Sequence, residues 1–215
     1  MNTIIFDLDG TLVESAPDIH DAANNLLTDL GIEPLPLETI IGFIGNGVPK
    51  LVERVMHKVG IEHSDDKHAE LVAVFSAHYA VNPATLSYLN KGALSALETL
   101  QKAGYKMAIC TNKPYDLAIQ VLECLKINKF FEAVIGGDSL EVKKPDPAPL
   151  FKAMQMLEQN TCIYVGDSEV DAQTARNAKQ PFFLFTQGYR KASVEDLSSD
   201  AAFDDFAALQ GLIEN

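Results

Sequence analysis

Basic residues are scarce in this sequence. Seventeen lysines and arginines face 30 aspartates and glutamates, for a net charge of −13. That balance argues against a nucleic-acid partner, which calls for a basic footprint. An anionic ligand stays open, because a bound cation and a few local lysines can reverse the field inside a cleft. Long apolar runs are missing too: none approaches the roughly 20 residues that span a bilayer. The N-terminus has no charged-then-apolar signal pattern, so the expectation is a cytoplasmic protein without a membrane partner. Cysteines number three, with no CxxC; Cys110 and Cys162 sit in apolar runs and read as buried free thiols. The five histidines, His20, His57, His63, His68 and His78, show no HxH or HExxH spacing and read as surface or packing residues, with His20 nearest a hinge. There is no internal repeat and no low-complexity tract.

What is present describes an ordinary globular chain, 47% apolar and 22% charged, long enough at 215 residues for one domain carrying an insertion. It opens on Ile4-Ile5-Phe6-Asp7-Leu8-Asp9-Gly10-Thr11-Leu12-Val13, an apolar run that ends in two carboxylates, a glycine and a hydroxyl. Such a run fits a strand buried on both faces of a parallel sheet. Two acids at its end are costly unless they leave the sheet at its open edge and meet a cation or a ligand. Asp7 and Asp9, two apart, project to the same side of an extended chain.

From Ser15 to about Asn82 the sequence reads as helix after helix: 15–31 with Ser15 or Asp18 as cap, 37–41, 48–59 and 65–81, with the turn Gly45-Asn46-Gly47 between the second and third. Beyond Pro83 strands near 106–111, 133–136, 162–166 and 182–185 alternate with helices, and a weak terminal helix covers 203–213. That alternation predicts parallel βαβ units in a doubly wound α/β sheet, a Rossmann-like core. The first strand has no partner of its own, so residues 1–14 belong with 83–215 and residues 15–82 form an all-helical insertion.

Open α/β sheets bind ligands outside the carboxyl ends of their strands. Here those ends carry Asp7, Asp9 and Thr11; then Thr111, Asn112 and Lys113; then Asp138 with Lys143 and Lys144 beyond it; and last Gly166, Asp167, Ser168 and Asp171. Each cluster alone has a plain alternative, such as a helix cap at Thr111-Asn112 or Asp167-Ser168 and a solvated loop at Lys144. Together these plain readings require four coincidences at one edge of one sheet. The joint reading is a single site built on a divalent metal and a carboxylate nucleophile.

In its order DxDGT, Thr, Lys, GDxxxD, carried by Asp7–Thr11, Thr111, Lys144 and Gly166–Asp171, the sequence resembles the haloacid dehalogenase superfamily of phosphotransferases. The stretches 14–20, 45–47 and 143–147 resemble its phosphoglycolate phosphatase branch. The resemblance implies a Mg²⁺-dependent phosphatase acting on a small phosphorylated metabolite, with 2-phosphoglycolate the leading substrate. By the same resemblance Asp7 is the nucleophile and Asp9 the general acid and base. Asp7, the Asp9 carbonyl and Asp167 hold the metal, with Asp171 orienting its waters. Thr111 and Lys144 hold and neutralise the phosphate, with Thr11 and Asn112 beside them. The helical insertion becomes a cap, hinged at Ser15 and at 82–83, whose Gly45, Asn46 and Gly47 turn backbone amides towards the substrate; an inter-helix turn and nothing more is the alternative. Dehalogenases of the superfamily lack the second acid, so Asp9 argues against that chemistry. A sugar-phosphate phosphatase or a β-phosphoglucomutase-like enzyme stays open, although mutases of that branch usually carry valine where Thr11 stands. A non-catalytic binding protein is the remaining alternative, and the assembly is a monomer or homodimer.

Overall fold

The computed structural model describes residues 2–214. In chain order the first elements are β1 (Thr3–Phe6), β2 (Val13–Glu14), α1 (Ala16–Asp29), α2 (Leu37–Ile41), α3 (Val48–Val59) and α4 (Asp65–Val81). Then come β3 (Tyr88–Leu89), α5 (Ala93–Lys102), β4 (Lys106–Cys110), α6 (Tyr115–Cys124), β5 (Ala133–Ile135) and α7 (Ala148–Met156). The chain closes with β6 (Ile163–Gly166), α8 (Glu169–Ala178), β7 (Phe182–Phe185), β8 (Ala201–Phe203) and α9 (Leu209–Glu214). Except at the C-terminus, the helices and long strands expected from the sequence form, most within a residue or two of their expected ends.

Six strands make one sheet in the order β5-β4-β1-β6-β7-β8, every neighbour pair parallel. β1 lies inside it, with Phe6 level with Ile109 on one side and Val165 on the other. Both faces are covered. Ile4, Phe6 and Ile109 pack with residues of α5 and α6, whereas Ile5, Ala108 and Tyr164 pack with α7 and α8. The period-two alternation therefore feeds two cores, which is why the strand sequences look uniformly apolar. The chain moves from β1 out to β4 and β5 and then returns to the far side of β1 at β6, so the strand order reverses around β1. A crevice at the carboxyl ends is the consequence of that reversal.

Helices α1 to α4 gather around a third apolar cluster that includes Leu26, Val55, Phe75 and Tyr79, with Leu117 of α6 reaching into it. Local signals set their ends. Ser64 caps α4 by accepting from the Lys67 amide, and Gly60 ends α3 with a left-handed φ of 77°. The cap expected for α1 is different. Ser15 makes no side-chain cap bond, and Asp18 instead accepts from the amides of Leu86 and Ser87 and from the Ser87 hydroxyl, tying the start of α1 to the returning chain.

Two elements depart from the sequence reading. β2 and β3 pair antiparallel as a two-strand ribbon where the chain leaves and re-enters the sheet region. Near the C-terminus Ala201–Phe203 adds a sixth parallel strand beside β7, and helix begins only after it. Three residues are too few to show alternation, so pairing with β7 decided their structure. Cys110 and Cys162 are buried free thiols and Cys124 is exposed. Among the described residues no helix is long and apolar enough to cross a membrane.

Candidate active site

The last ladder bond of β1 is the Asp7 amide donating to the Val165 carbonyl, 2.8 Å. The chain then turns at once, with the Gly10 amide donating to Val13 O and the Val13 amide to Leu8 O. Asp7 and Asp9 emerge into one cleft while Leu8 is buried in the core. Gly10 has φ 84°, and a Cβ there would lie 2.7 Å from both Asp167 Oδ2 and the Tyr189 ring. Only glycine fits that turn.

Asp167 and Asp171 arrive from the loop between β6 and α8. Asp167 accepts from the Thr11 hydroxyl on one oxygen and from the Tyr189 amide on the other, both at 2.7 Å. Thr11 is buried and its hydroxyl proton is committed to Asp167. Asp171 closes a capping box with Ser168 through one oxygen. Its other oxygen takes Lys144 Nζ at 2.7 Å and the Tyr164 hydroxyl at 2.9 Å. Lys144 Nζ lies 2.9 Å from Asp7 Oδ1, an ion pair by distance but without the alignment of a hydrogen bond. Lys113 Nζ lies 2.8 Å from Asp9 Oδ1. Each acid of the first strand thus has a lysine of its own.

Charge in this cluster is unbalanced. Burial, then the Asp171 carboxylate, push the Asp7 carboxyl up to about 7, against the pull of Lys144. Burial likewise raises Asp167 well above the ordinary range, with Asp171 and Asp7 adding to it. Asp171 goes the other way: burial opposes its ionisation, but the charge and hydrogen bond of Lys144, with the hydrogen bonds of Ser168 and Tyr164, outweigh it. Burial disfavours the Lys144 ammonium, yet Asp171 and Asp7 hold it protonated and raise it further. Four carboxylates against two lysines leave an anionic excess that a divalent cation fits. Asp7, Asp167 and Asp171 each offer an oxygen within 4.8 Å of the others. Asp171 has the Lys144 ammonium on one oxygen and the Ser168 hydroxyl on the other, whereas the donors to Asp167 are both neutral, so Asp7 and Asp167 are the carboxylates that would face the cation.

A family model described as haloacid dehalogenase-like hydrolase matches residues 4–185. The chain belongs to that family. Among its relatives, a protein named phosphoglycolate phosphatase from Cereibacter sphaeroides (strain ATCC 17025) is 46% identical over all of this chain and 99% of its own length. One of that name from Rhodobacter capsulatus is 41% identical over 98% of this chain and 96% of its own. A crystal structure described as a predicted phosphoglycolate phosphatase from Haemophilus somnus superposes with a TM-score of 0.92 at 30% identity, covering 99% of this chain and 98% of that one.

In this hydrolase Thr111, Asn112, Gly45 and Gly47 line the cleft beside the two acids, and Asn46 lines its extension towards Asp167 and Ser168. The 42–47 turn meets the other half of the molecule through carbonyls: Gly42 O accepts from Lys191, Gly45 O from Asn112 Nδ2 and Asn46 O from Lys143. These bonds hold the turn against the core through its carbonyls, because the groups opposite are donors; the amides expected from sequence to face the substrate are other groups of the same turn. His20 bonds the Leu35 carbonyl at 2.8 Å and does not line the cleft. Three residues at the site had no role assigned from the sequence. Lys113 was only the neighbour of Thr111-Asn112. Tyr79 reads as an apolar helix residue, yet its hydroxyl meets Lys113 Nζ at 2.5 Å. Tyr189 lies after the last long strand in a loop with no motif; its hydroxyl accepts from the Ser15 and Ala16 amides and donates to Glu14.

Proposed function

We propose that this hydrolase is a phosphoglycolate phosphatase, a phosphoric monoester hydrolase that releases phosphate and glycolate from 2-phosphoglycolate. The observation that carries the chemistry is Asp7 and Asp9, side by side in one cleft, each against its own lysine. The shared name of the full-length relatives supports the substrate. The empty space of the cleft, its open mouth included, is about 470 Å³.

Asp7 attacks phosphorus and becomes an aspartyl-phosphate. Asp9 protonates the departing alkoxide and then takes a proton from the water that releases phosphate. Thr111 lines the cleft beside Asp7 and faces the phosphate, while Lys144 offsets charge at Asp7. Mg²⁺ would be held by the carboxylates of Asp7 and Asp167 and the Asp9 carbonyl, supplying the positive charge that lets a phosphate dianion approach a carboxylate. Residues 15–82 act as the cap over a core of residues 1–14 and 83–215, excluding water when it is seated.

Asp9→Asn tests the acid. Its kcat/KM, which covers expulsion of the leaving group but not the later hydrolysis shared by all substrates, should fall by about 10² to 10⁴ on 2-phosphoglycolate and by much less on 4-nitrophenyl phosphate, whose leaving group needs no proton. Equal losses on both would remove Asp9 from that role.

Chelation with EDTA should silence phosphate release and Mg²⁺ restore it; activity that persists in EDTA would end the metal assignment. A second readout needs no turnover. Asp7 is raised from 3.8 to about 7 in the folded protein, so the folded state holds a proton that the unfolded chain has released. Stability of the metal-free protein should therefore be greatest below about pH 4 as far as this group acts, and decline as pH rises through about 7. Saturating Mg²⁺ should raise the melting temperature most at the upper end of that window; a shift independent of pH would place the ion elsewhere.

A further inference from the structure

We infer that Lys113 is a specificity-determining residue that binds the carboxylate of the substrate's leaving group, an inference that rests on the phosphoglycolate reading above. Lys113 follows β4 and its side chain is 2% exposed, an unusual place for an ammonium. Its Nζ bonds Asp9 Oδ1 at 2.8 Å and the Tyr79 hydroxyl at 2.5 Å, two of the three donors an ammonium has. Tyr79 comes from α4 across the cleft and also presents its ring, 4.4 Å from Nζ at the centroid.

Among the residues lining this part of the cleft, Lys113 is the one cation. The wall facing it is apolar, made by Ile19, Ile44, Val48, Leu51 and Phe75. A phosphoester whose leaving group ends in a carboxylate would bury that charge against hydrocarbon unless an ammonium met it. Direction decides which end of the substrate Lys113 meets. Attack by Asp7 is in line, so the leaving oxygen departs on the side where Asp9 protonates it. Lys113 touches Asp9, whereas Lys144 touches Asp7 and Asp171. Lys144 therefore serves the phosphoryl side and Lys113 the leaving-group side. In 2-phosphoglycolate the carboxylate is one methylene from the ester oxygen, within reach of a group that touches Asp9. The substrate class is phosphate esters of short 2-hydroxy acids. A neutral alkyl phosphate of the same length gains nothing from the ammonium.

The test compares 2-phosphoglycolate with ethyl phosphate, which carries a methyl group in place of the carboxylate. The wild-type protein should show a kcat/KM preference for 2-phosphoglycolate, and K113M should shrink that preference about a hundredfold or more. Loss of the lysine also changes the surroundings of Asp9, but that effect falls on both substrates and cancels in the ratio. K113R, which keeps a cation, should retain most of the preference. Should the methionine variant not fold, K113Q, whose amide still donates to Asp9, carries the same comparison. An unchanged preference in the folded variant, with both substrates slowed alike, overturns the inference and leaves the phosphoglycolate reading standing. A wild-type enzyme with no preference between the two overturns both.

Discussion

Asp7→Asn is expected to lower phosphate release from 2-phosphoglycolate by about 10⁴-fold or more, to the background of the assay. The substitution removes the charge of the proposed attacking oxygen and half of the carboxylate pair proposed to hold the metal, while its shape is nearly unchanged. Structure should survive it. Asp7 is raised to about 7 because burial and Asp171 oppose its charge, so a neutral amide relieves repulsion in the metal-free protein. The expected pair of results is therefore a dead enzyme with an equal or higher melting temperature in EDTA. The second half separates a nucleophile from a structural acid, since loss of a structural acid lowers both quantities. Near-normal turnover by Asp7→Asn would remove the nucleophile assignment. A pulse of substrate followed by acid quench should trap phosphate on the wild-type chain and none on the variant.

The parts of this site legible in the sequence share one property: each follows directly from a strand whose apolar run announces it. Asp7 and Asp9 end β1, Thr111 follows β4 and Asp167 follows β6, so placing the strands in one parallel sheet brings them together. Lys144 was legible only through its place in the motif order, since nothing nearby distinguishes it from a solvated lysine. Tyr189 was not legible. It comes from the loop after β7, and its amide reaches Asp167 and its hydroxyl the start of α1 only because the turn at Gly10 packs under it. Tyr79 was hidden by its own chemistry: a residue at a buried helical position scores as core, which its ring is, and the hydroxyl's partner lies 34 residues away. The edge strand β8 and the β2–β3 ribbon failed for a third reason. They are two or three residues long, and pairing partners rather than their own side chains fix them.

Lys144→Met is the substitution expected to damage stability and turnover together. Lys144 is buried, and its ammonium lies between Asp7 at 2.9 Å and Asp171 at 2.7 Å, with the Tyr164 hydroxyl at 2.8 Å. Removing it leaves two buried carboxylates facing each other without the charge that holds Asp171 ionised. Breaking a buried pair in this way costs about 3–5 kcal/mol. In a domain of this size that corresponds to a fall of about 10 °C in melting temperature, measured in EDTA. Turnover should fall by about 10³, since the charge opposing repulsion between Asp7 and the phosphate is lost. If uncompensated charge is the cause, the double variant Lys144→Met/Asp171→Asn should recover part of the lost stability, because it removes one of the stranded carboxylates. The same double variant should recover none of the turnover, because Asp7 still lacks its cation. Stability losses that simply add in the double variant would mean that Lys144 supports the fold by packing and not by charge. The two readouts thus separate what the lysine does for the loop between β6 and α8 from what it does for Asp7.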